Sequence, residues 1–243
     1  MTDDLKRRAA VAAADRVESG MRLGLGSGST VSFFVDELGR RLRDGRVRAI
    51  VGVPTSRETE RLARDRGVPL TTLEAHPALD LAVDGADEVD PELNLIKGHG
   101  GALLREKIVA LASERMIAIV DASKLVRALG VHTPLPVEVV QFGWSAVAAK
   151  VEALGGKPSR RKGADGQPFV TDEGHYILDC AFGILRDPRG LAEKLRSIVG
   201  VVEHGLFLGI AYEVIVAAPE GIRVLTRGSP LTPPSPPSGA RGT

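Results

Sequence analysis

The sequence has few of the features that stabilise proteins outside the cell or in a membrane. Cys180 is the only cysteine, which excludes an intrachain disulfide. No apolar run reaches the roughly 18 residues that a membrane span needs. The N-terminus lacks the basic, apolar and small-residue order of a secretion signal. We therefore expect a soluble, cytoplasmic protein without a membrane partner.

The sequence is also poor in aromatic residues and in net charge. Aromatic residues are 4% of the chain although 43% is hydrophobic, so the core has to consist mostly of Ala, Val, Leu and Ile. Such a core is usual where helices cover a parallel sheet. Lys and Arg number 32 and Asp and Glu 31, so no overall positive field attracts nucleic acid. We expect no nucleic-acid partner, and any anion site has to be local.

Helical and strand patterns alternate over residues 1–132. Short apolar runs are found at "MRLGLG", "VRAIVGV", "LDLAVDG" and "MIAIVD", each followed by a polar or glycine-rich turn. Helical spacing marks the segments 2–20 and 31–45. This alternation predicts an α/β fold, a Rossmann-like parallel sheet with helices on both faces. Strand patterns at "YEVIVAA" and "GIRVLT", within 209–227, are expected to return to the same sheet.

The pattern changes between these parts, over residues 133–208. Strands are predicted at "LPVEVV", "KPSRR", "PFVT", "HYILDCAFG" and "VVEHGLF", and helices at "WSAVAAKVEALGG" and "PRGLAEKLRSIVG". We interpret this segment as an inserted small α+β subdomain of ferredoxin-like type. The final segment, 228–243, is rich in Pro, Ser and Gly and is predicted to be a disordered tail.

The first of three notable turns is "GLGSGST", residues 24–30. It matches neither the dinucleotide fingerprint nor the P-loop. Its backbone N–H groups and hydroxyls open a predicted helix and can hold one phosphate. An ordinary strand-to-helix turn with serine caps is the alternative. The candidate phosphate ligands are Ser27, Gly28, Ser29 and Thr30.

The second turn is "DGADEVD", residues 84–90. Asp84, Asp87 and Asp90 lie three apart, which does not match a calcium loop, so we predict no metal site. We interpret Glu88 and Asp90 as part of a solvated helix start. Asp84 ends an apolar strand, and its carboxylate can accept hydrogen bonds from sugar hydroxyls. Small residues follow it and leave room for a ligand, namely Gly85 and Ala86.

The third turn is "KGHGGALLREKI", residues 97–108. Lys97 ends a short predicted strand, and the glycines after it let the backbone approach a ligand. Glu106 falls on the helix that follows, so a cation and a carboxylate can meet in one pocket. Arg105 and Lys107 flank it, and in isolation this pattern favours a surface helix with alternating charges.

Six motifs together are similar to one family. "GSGST", "VDGADEVD", "IKGHGGALLREKI", "DASKLV", "PLPVEVV" and "VVEHGLF" resemble, in order and spacing, the type A ribose-5-phosphate isomerases. The resemblance covers residues 24–207. It implies interconversion of ribose 5-phosphate and ribulose 5-phosphate in the non-oxidative pentose phosphate pathway, without metal or cofactor. It also implies a homodimer or a higher oligomer.

The resemblance also implies roles for individual residues. Glu106 corresponds to the proton-transferring base, with Lys97, Asp84 and Asp87 as polar groups that face the sugar. Lys6 is a further candidate for the phosphate. The implied substrate-binding residues are Ser27, Gly28, Ser29, Thr30, Asp84, Gly85, Ala86, Asp87, Lys97, Gly98, His99, Gly100 and Lys124.

Chemistry supports this assignment of roles. Isomerisation removes a proton from C2 and returns one to C1, and one carboxylate on one face of a cis-enediolate can do both. A cation such as Lys97 can stabilise the charge that develops on the former carbonyl oxygen. Two residues depart from the family pattern: His99 stands where a glycine is usual and Ser27 where a threonine is usual. His99 is either a solvent-facing residue or a new substrate contact.

Two other classes of function are considered. Sugar-phosphate-sensing domains of transcription regulators share such a sheet, but the N-terminal pattern here gives one helix and no helix-turn-helix. Coenzyme A transferases have a related architecture and use a glutamate as a nucleophile, so a thioester on Glu106 would favour that class.

Overall fold

The computed structural model describes residues 3–227, so the tail predicted over 228–243 lies outside the described residues. The helices are α1 (Asp3–Ala14), α2 (Ser29–Arg43), α3 (Arg57–Asp65), α4 (Leu103–Leu111), α5 (Trp144–Ala153) and α6 (Pro188–Arg196), with a 3₁₀ turn at Ala122–Lys124. The strands are β1 (Arg22–Leu25), β2 (Val51–Pro54), β3 (Leu79–Asp84), β4 (Glu88–Val89), β5 (Leu95–Ile96), β6 (Ser113–Asp121), β7 (Leu135–Val139), β8 (Lys157–Arg160), β9 (Tyr176–Ala181), β10 (Val201–His204), β11 (Leu206–Phe207), β12 (Ala211–Ala218) and β13 (Gly221–Thr226).

The largest sheet has six strands in the order β13-β12-β6-β3-β1-β2. Neighbouring strands are parallel except at one edge, where β13 runs antiparallel to β12. Only Pro219 and Glu220 separate the paired residues Ala218 and Gly221, and so short a link can join only antiparallel strands. The predicted parallel sheet is therefore confirmed for five strands, while its last strand is antiparallel.

Helices cover both faces of this sheet, as predicted. Ile117 and Ile119 of β6 face a core built with α1 and α2. The alternate residues of the same strand, such as Ala118, face a second core that includes Val109 of α4. This alternation is the period of a β-strand, and burial on both faces explains why β6 is apolar from Met116 to Val120.

A second sheet has four antiparallel strands in the order β10-β7-β9-β8 and packs with α5 and α6. Its chain order, strand-helix-strand-strand-helix-strand, is that of ferredoxin-like units. Two predictions within it were wrong. "PFVT" forms only isolated bridges, Lys162 with Pro168 and Val170 with Tyr176, because it lies in a long turn. "VVEHGLF" is divided at Gly205 into β10 and β11, which belong to different sheets.

A third sheet, β11-β5-β4, was not predicted. Its strands have two residues each, too few to show a period in the sequence. Because β11 pairs with β5, the segment 133–208 contributes a strand to the first part of the chain. We retain the division into domains at 133 and 208 as a proposal. No helix among residues 3–227 is long and apolar enough to cross a membrane.

Candidate active site

The three predicted turns come together at one edge of the large sheet. β1 and β3 are parallel neighbours, so the turns that follow their carboxyl ends meet there, which is where α/β sheets bind ligands. The third turn follows β5 of the small three-stranded sheet and lines the same cleft. The turns enclose a cleft of about 360 Å³. Its lining residues are Lys6, Ser27, Gly28, Ser29, Thr30, Gly85, Ala86, Asp87, Lys97, Gly98, Gly100, Glu106, Asp121, Ser123 and Lys124.

A buried ammonium between two carboxylates forms the floor of this cleft. Nζ of Lys97 lies 3.0 Å from Oδ2 of Asp84 and 3.1 Å from Oε2 of Glu106, and it donates a 2.7 Å hydrogen bond to the carbonyl of Gly85. Lys97 and Glu106 are only 3% and 4% exposed. No donor in the described chain makes a well-directed hydrogen bond to Oε2 of Glu106. The Lys97 ammonium therefore acts on this oxygen mainly through its charge.

Burial and nearby charges shift the pKa values of Glu106, Asp84 and Lys97. Burial, together with the charge of Asp84, raises the pKa of Glu106 to about 8, against the opposing effect of Lys97. Burial also raises the pKa of Asp84. Burial alone would lower the pKa of Lys97, but the charges of Asp84, Glu106 and Asp87 raise it above its ordinary value. A permanent cation thus lies beside a carboxyl group that titrates near neutral pH.

The first turn holds Asp84 in place through its backbone. Oδ1 of Asp84 accepts hydrogen bonds from N–H of Ser27 at 3.1 Å and of Gly85 at 2.7 Å. Gly26 passes so close that a Cβ atom there would lie 2.3 Å from the Asp84 carboxyl. Glycine is therefore required at this position by close approach. The Ser27 hydroxyl lies 2.8 Å from the hydroxyl of Thr55.

The N-terminus of α2, which also lines the cleft, suits a phosphate. Ser29 and Thr30 form the first turn of α2, where unpaired N–H groups and the helix dipole favour an anion. Lys6 and Lys124 also line the cleft, and both had been named from the sequence. Asp121 and Ser123 line it too and were missed. They lie within the quoted "DASK" motif directly after β6, and this position was the signal that could have identified them.

The Asp87 side chain interacts with the backbone of His99. N–H of His99 donates to Oδ2 of Asp87 at 3.1 Å, whereas the His99 ring lies 3.9 Å from the other carboxylate oxygen. Asp87 lines the cleft, and His99, with its side chain 39% exposed, does not. The structure thus brings together the predicted site residues around one cleft, with Asp84 just beneath its surface and His99 at its outside.

The interpretation of Glu88 and Asp90 as a solvated helix start was wrong. Both are buried, and Glu88 lies in β4 rather than in a helix. The Glu88 carboxylate accepts hydrogen bonds from the backbone N–H of Gly130 at 2.6 Å, His132 at 2.6 Å and Thr133 at 2.8 Å. It fixes the segment that leads into β7, and these partners are too distant in sequence to be recognised from the motif.

The alternative of a surface helix for α4 was also wrong, because Lys107 is buried. Its Nζ donates to Oε1 of Glu203 at 2.8 Å and to the carbonyl of His204 at 2.5 Å, and it lies 4.9 Å from the centre of the Phe207 ring. Burial lowers the pKa of Lys107 to about 8. The helix that carries Glu106 is thereby attached to the end of β10 and to β11.

The fold and the cleft together define an α/β enzyme that holds a small anionic substrate against an acid–base group. Within residues 3–227 no group of three or more His, Cys, Asp or Glu is arranged to hold a metal ion. A family model for ribose 5-phosphate isomerase A (phosphoriboisomerase A) matches residues 51–221.

Curated relatives match over nearly the whole chain. The ribose-5-phosphate isomerase A of Roseiflexus castenholzii is 56% identical over 223 residues, which cover 91% of this chain and 95% of the relative. That of Synechococcus sp. (strain JA-3-3Ab) is 55% identical over 224 residues, covering 92% and 97%. The chain belongs to the ribose-5-phosphate isomerase A family and is a ribose-5-phosphate isomerase.

Solved structures agree with this assignment. A D-ribose-5-phosphate isomerase in complex with phospho-erythronic acid is 41% identical, with a TM-score of 0.91, and the match covers 93% of this chain and all of that chain. The ribose 5-phosphate isomerase of Plasmodium falciparum is 37% identical, with a TM-score of 0.90 over 94% of this chain and all of that one. Both therefore share the fold described above.

Proposed function

We propose that this chain interconverts D-ribose 5-phosphate and D-ribulose 5-phosphate through a cis-enediolate, with Glu106 as the group that moves the proton. The observation that carries the proposal is the position of the Lys97 ammonium between Asp84 and Glu106 at the floor of the cleft. One base can take the proton from C2 and return it to C1 because both carbons present the same face to it.

The pKa of Glu106 suits this role. A general base works best when its pKa lies near the working pH, and burial beside Asp84 raises the pKa of Glu106 to about 8. The carboxylate is then basic enough to remove a proton beside a carbonyl, and the resulting acid can return it. The same burial excludes water that would otherwise compete for the proton.

Lys97 supplies charge where the reaction needs it. Negative charge grows on the former carbonyl oxygen in the transition state, and a fixed cation in a dry site stabilises it strongly. Lys97 cannot easily rotate away, because Asp84, Glu106 and the Gly85 carbonyl hold its Nζ. Asp84 and Asp87 are proposed to orient the sugar hydroxyls and to assist opening of the furanose ring.

The phosphate is proposed to bind at the N-terminus of α2, with Lys6 and Lys124 as neighbouring cations. Anchoring this group is proposed to place C1 and C2 next to Glu106. Such anchoring reduces the entropy that the chemical step has to lose.

The proposal is tested by assaying the purified full-length chain with ribose 5-phosphate, coupled to detection of ribulose 5-phosphate, with and without a chelator. Turnover that is equal in both conditions is the expected result. Absence of turnover would contradict the proposal, and dependence on Mg²⁺ or Mn²⁺ would require Asp84, Asp87 and Asp90 to be reinterpreted as ligands. A thioester trapped on Glu106 with an acyl-coenzyme A would favour the transferase alternative.

We further propose that the chain forms a homodimer, as the sequence resemblance implies. Large apolar side chains that are exposed in the single chain give it surface that a second copy can cover, among them Phe142, 93% exposed, and Val199, 86% exposed. Light scattering coupled to gel filtration measures the mass directly, and a monomer would contradict this. The cytoplasmic location stays a prediction, which fractionation of expressing cells would check.

A further inference from the structure

Arg161, the residue directly after β8, reaches from the second sheet to the glycine-rich turn of the cleft. Its Nη1 donates to the carbonyl of Gly98 at 2.8 Å and to the carbonyl of His99 at 2.9 Å. Both acceptors belong to the turn that follows Lys97. One guanidinium nitrogen therefore holds two successive peptide groups.

The guanidinium is itself held in place. Its Nε donates to Oδ2 of Asp179 at 3.0 Å, and its Nη2 donates to Oδ1 of the same carboxylate, a bidentate pair. The ring of Phe169 lies 5.9 Å from the guanidinium carbon. The same ring packs against Gly101, whose φ is +85° and where a Cβ atom would lie 2.4 Å from the ring. The segment between β8 and β9 thus supports the turn at two points.

These bonds fix the directions of the N–H groups on the opposite side of the turn. In a planar trans peptide the C=O and the following N–H point in opposite directions. With the Gly98 carbonyl directed to Arg161, N–H of His99 points away and donates to Asp87, which lines the cleft. With the His99 carbonyl directed to the same Nη1, N–H of Gly100 also points away from Arg161.

The N–H of Gly100 is available to a ligand. Gly100 lines the cleft, and within residues 3–227 its N–H donates to no backbone or side-chain acceptor. An N–H group held at the wall of a cleft, near a buried cation, has the arrangement that stabilises a developing oxyanion.

We infer that Arg161 is a positioning residue, which holds the His99–Gly100 peptide so that N–H of Gly100 donates to the substrate oxygen on which negative charge develops. This inference rests on the proposed function and adds to it the residue that directly follows β8. Arg161 acts through the backbone and does not touch the substrate.

The test compares neighbouring arginines in the full-length chain. Arg161→Met removes the donors to the turn. Arg160→Met is the matched control, because Arg160 stacks on Trp144 and Tyr176, at 4.4 and 5.2 Å, rather than on the turn. The double variant Arg161→Met/Asp179→Asn removes the carboxylate charge that the single variant leaves unpaired. For each variant, kcat and KM for ribose 5-phosphate, the Kd of phospho-erythronic acid and Tm are measured.

Phospho-erythronic acid is a useful probe because its carboxylate carries negative charge, as the enediolate oxygen does. We expect both Arg161 variants to lose about tenfold or more in kcat, with KM within about threefold of the wild type, since a transition-state interaction is removed. The Kd of phospho-erythronic acid should rise in parallel with the loss of kcat. Arg160→Met should keep all of these values within about twofold.

Three results would overturn the inference while the wild type stays active. Normal kcat in both Arg161 variants would show that the turn needs no anchor. Recovery of kcat together with Tm in the double variant would show that Arg161 serves only stability. An equal loss of kcat in Arg160→Met would show that the effect is not specific to the turn. Absence of isomerisation by the wild type would instead contradict the proposed function, and this inference with it.

Discussion

Nζ of Lys97 lies 3.1 Å from Oε2 of Glu106, and both side chains are almost fully buried. A cation and a base that share one dry pocket with Asp84 influence one another strongly, because charges interact more strongly there than in water. The proposed chemistry depends on this arrangement, since one group has to move a proton while the other stabilises charge.

The pH dependence of activity follows from the pKa of Glu106. Glu106 acts as a base only when it is deprotonated, and its pKa is about 8, so kcat/KM should rise with pH and level off above about pH 8. The charge of Asp84 helps to raise this pKa. The variant Asp84→Asn should have low activity. The rise of its remaining kcat/KM with pH should therefore occur at lower pH than in the wild type. Asp65→Asn, an exposed control at the end of α3, should leave the limb unchanged. A limb that does not move in Asp84→Asn would contradict this electrostatic account.

Lys97→Met should impair both catalysis and folding. Loss of the cation removes stabilisation of the enediolate and should lower kcat by about 10²-fold or more. It also leaves two buried carboxylates unpaired, which costs about 3–5 kcal/mol when one partner of a buried ion pair is removed. Steady-state kinetics and denaturant unfolding measure the two effects.

A double variant separates these two effects of Lys97. Lys97→Met/Glu106→Gln carries one carboxylate fewer and should regain part of the lost free energy of unfolding without regaining activity. Lys150→Met, on an exposed position of α5, is the surface control. Near-normal kcat in Lys97→Met would show that its charge is not needed in the transition state.

Glu88→Gln should destabilise the fold without changing the chemistry. The carboxylate accepts three backbone N–H groups, and an amide offers one oxygen in place of two, so the free energy of unfolding should fall by at least about 2 kcal/mol. The kcat of the folded protein should be near normal, because Glu88 does not line the cleft. Glu92→Gln, exposed in the same segment, is the control. Equal stability of the two variants in urea would refute the structural role of Glu88.

His99→Gly should leave turnover within about threefold of the wild type. The contacts of His99 with Asp87 and Arg161 run through its backbone, which glycine keeps, and its ring lies outside the cleft. Extra chain freedom should cost at most about 1 kcal/mol. A limb between about pH 6 and 7 in kcat/KM that disappears in His99→Gly would show instead that the ring takes part.

The sequence predicted the parts of the site that depend on local order. Asp84 and the 24–30 turn each follow a clear strand, so parallel strand order brings their ends together without further information. Lys97 and Glu106 needed the family resemblance, because the charges of α4 alone favoured an exposed helix.

The rest depended on contacts between distant parts of the chain. The buried Glu88 carboxylate accepts hydrogen bonds from N–H groups more than 40 positions away in the sequence. Arg161 donates to carbonyl groups that lie 63 and 62 positions before it. The periodicity of hydrophobic residues predicts local helices and strands and does not indicate such long-range contacts. The two-residue strands of the third sheet were too short to give a pattern, which is why β11 was placed in the same strand as β10.

Proton transfer by Glu106 is the central claim, and exchange of substrate hydrogen with solvent tests it most directly. Wild type and Glu106→Gln are incubated with ribose 5-phosphate in D₂O, and deuterium in the pentose phosphates is followed by NMR alongside turnover. We expect Glu106→Gln to lose both turnover and exchange by about 10²-fold or more while it still binds phospho-erythronic acid. Glu92→Gln should behave as the wild type. Near-normal turnover and exchange in Glu106→Gln would show that another group moves the proton.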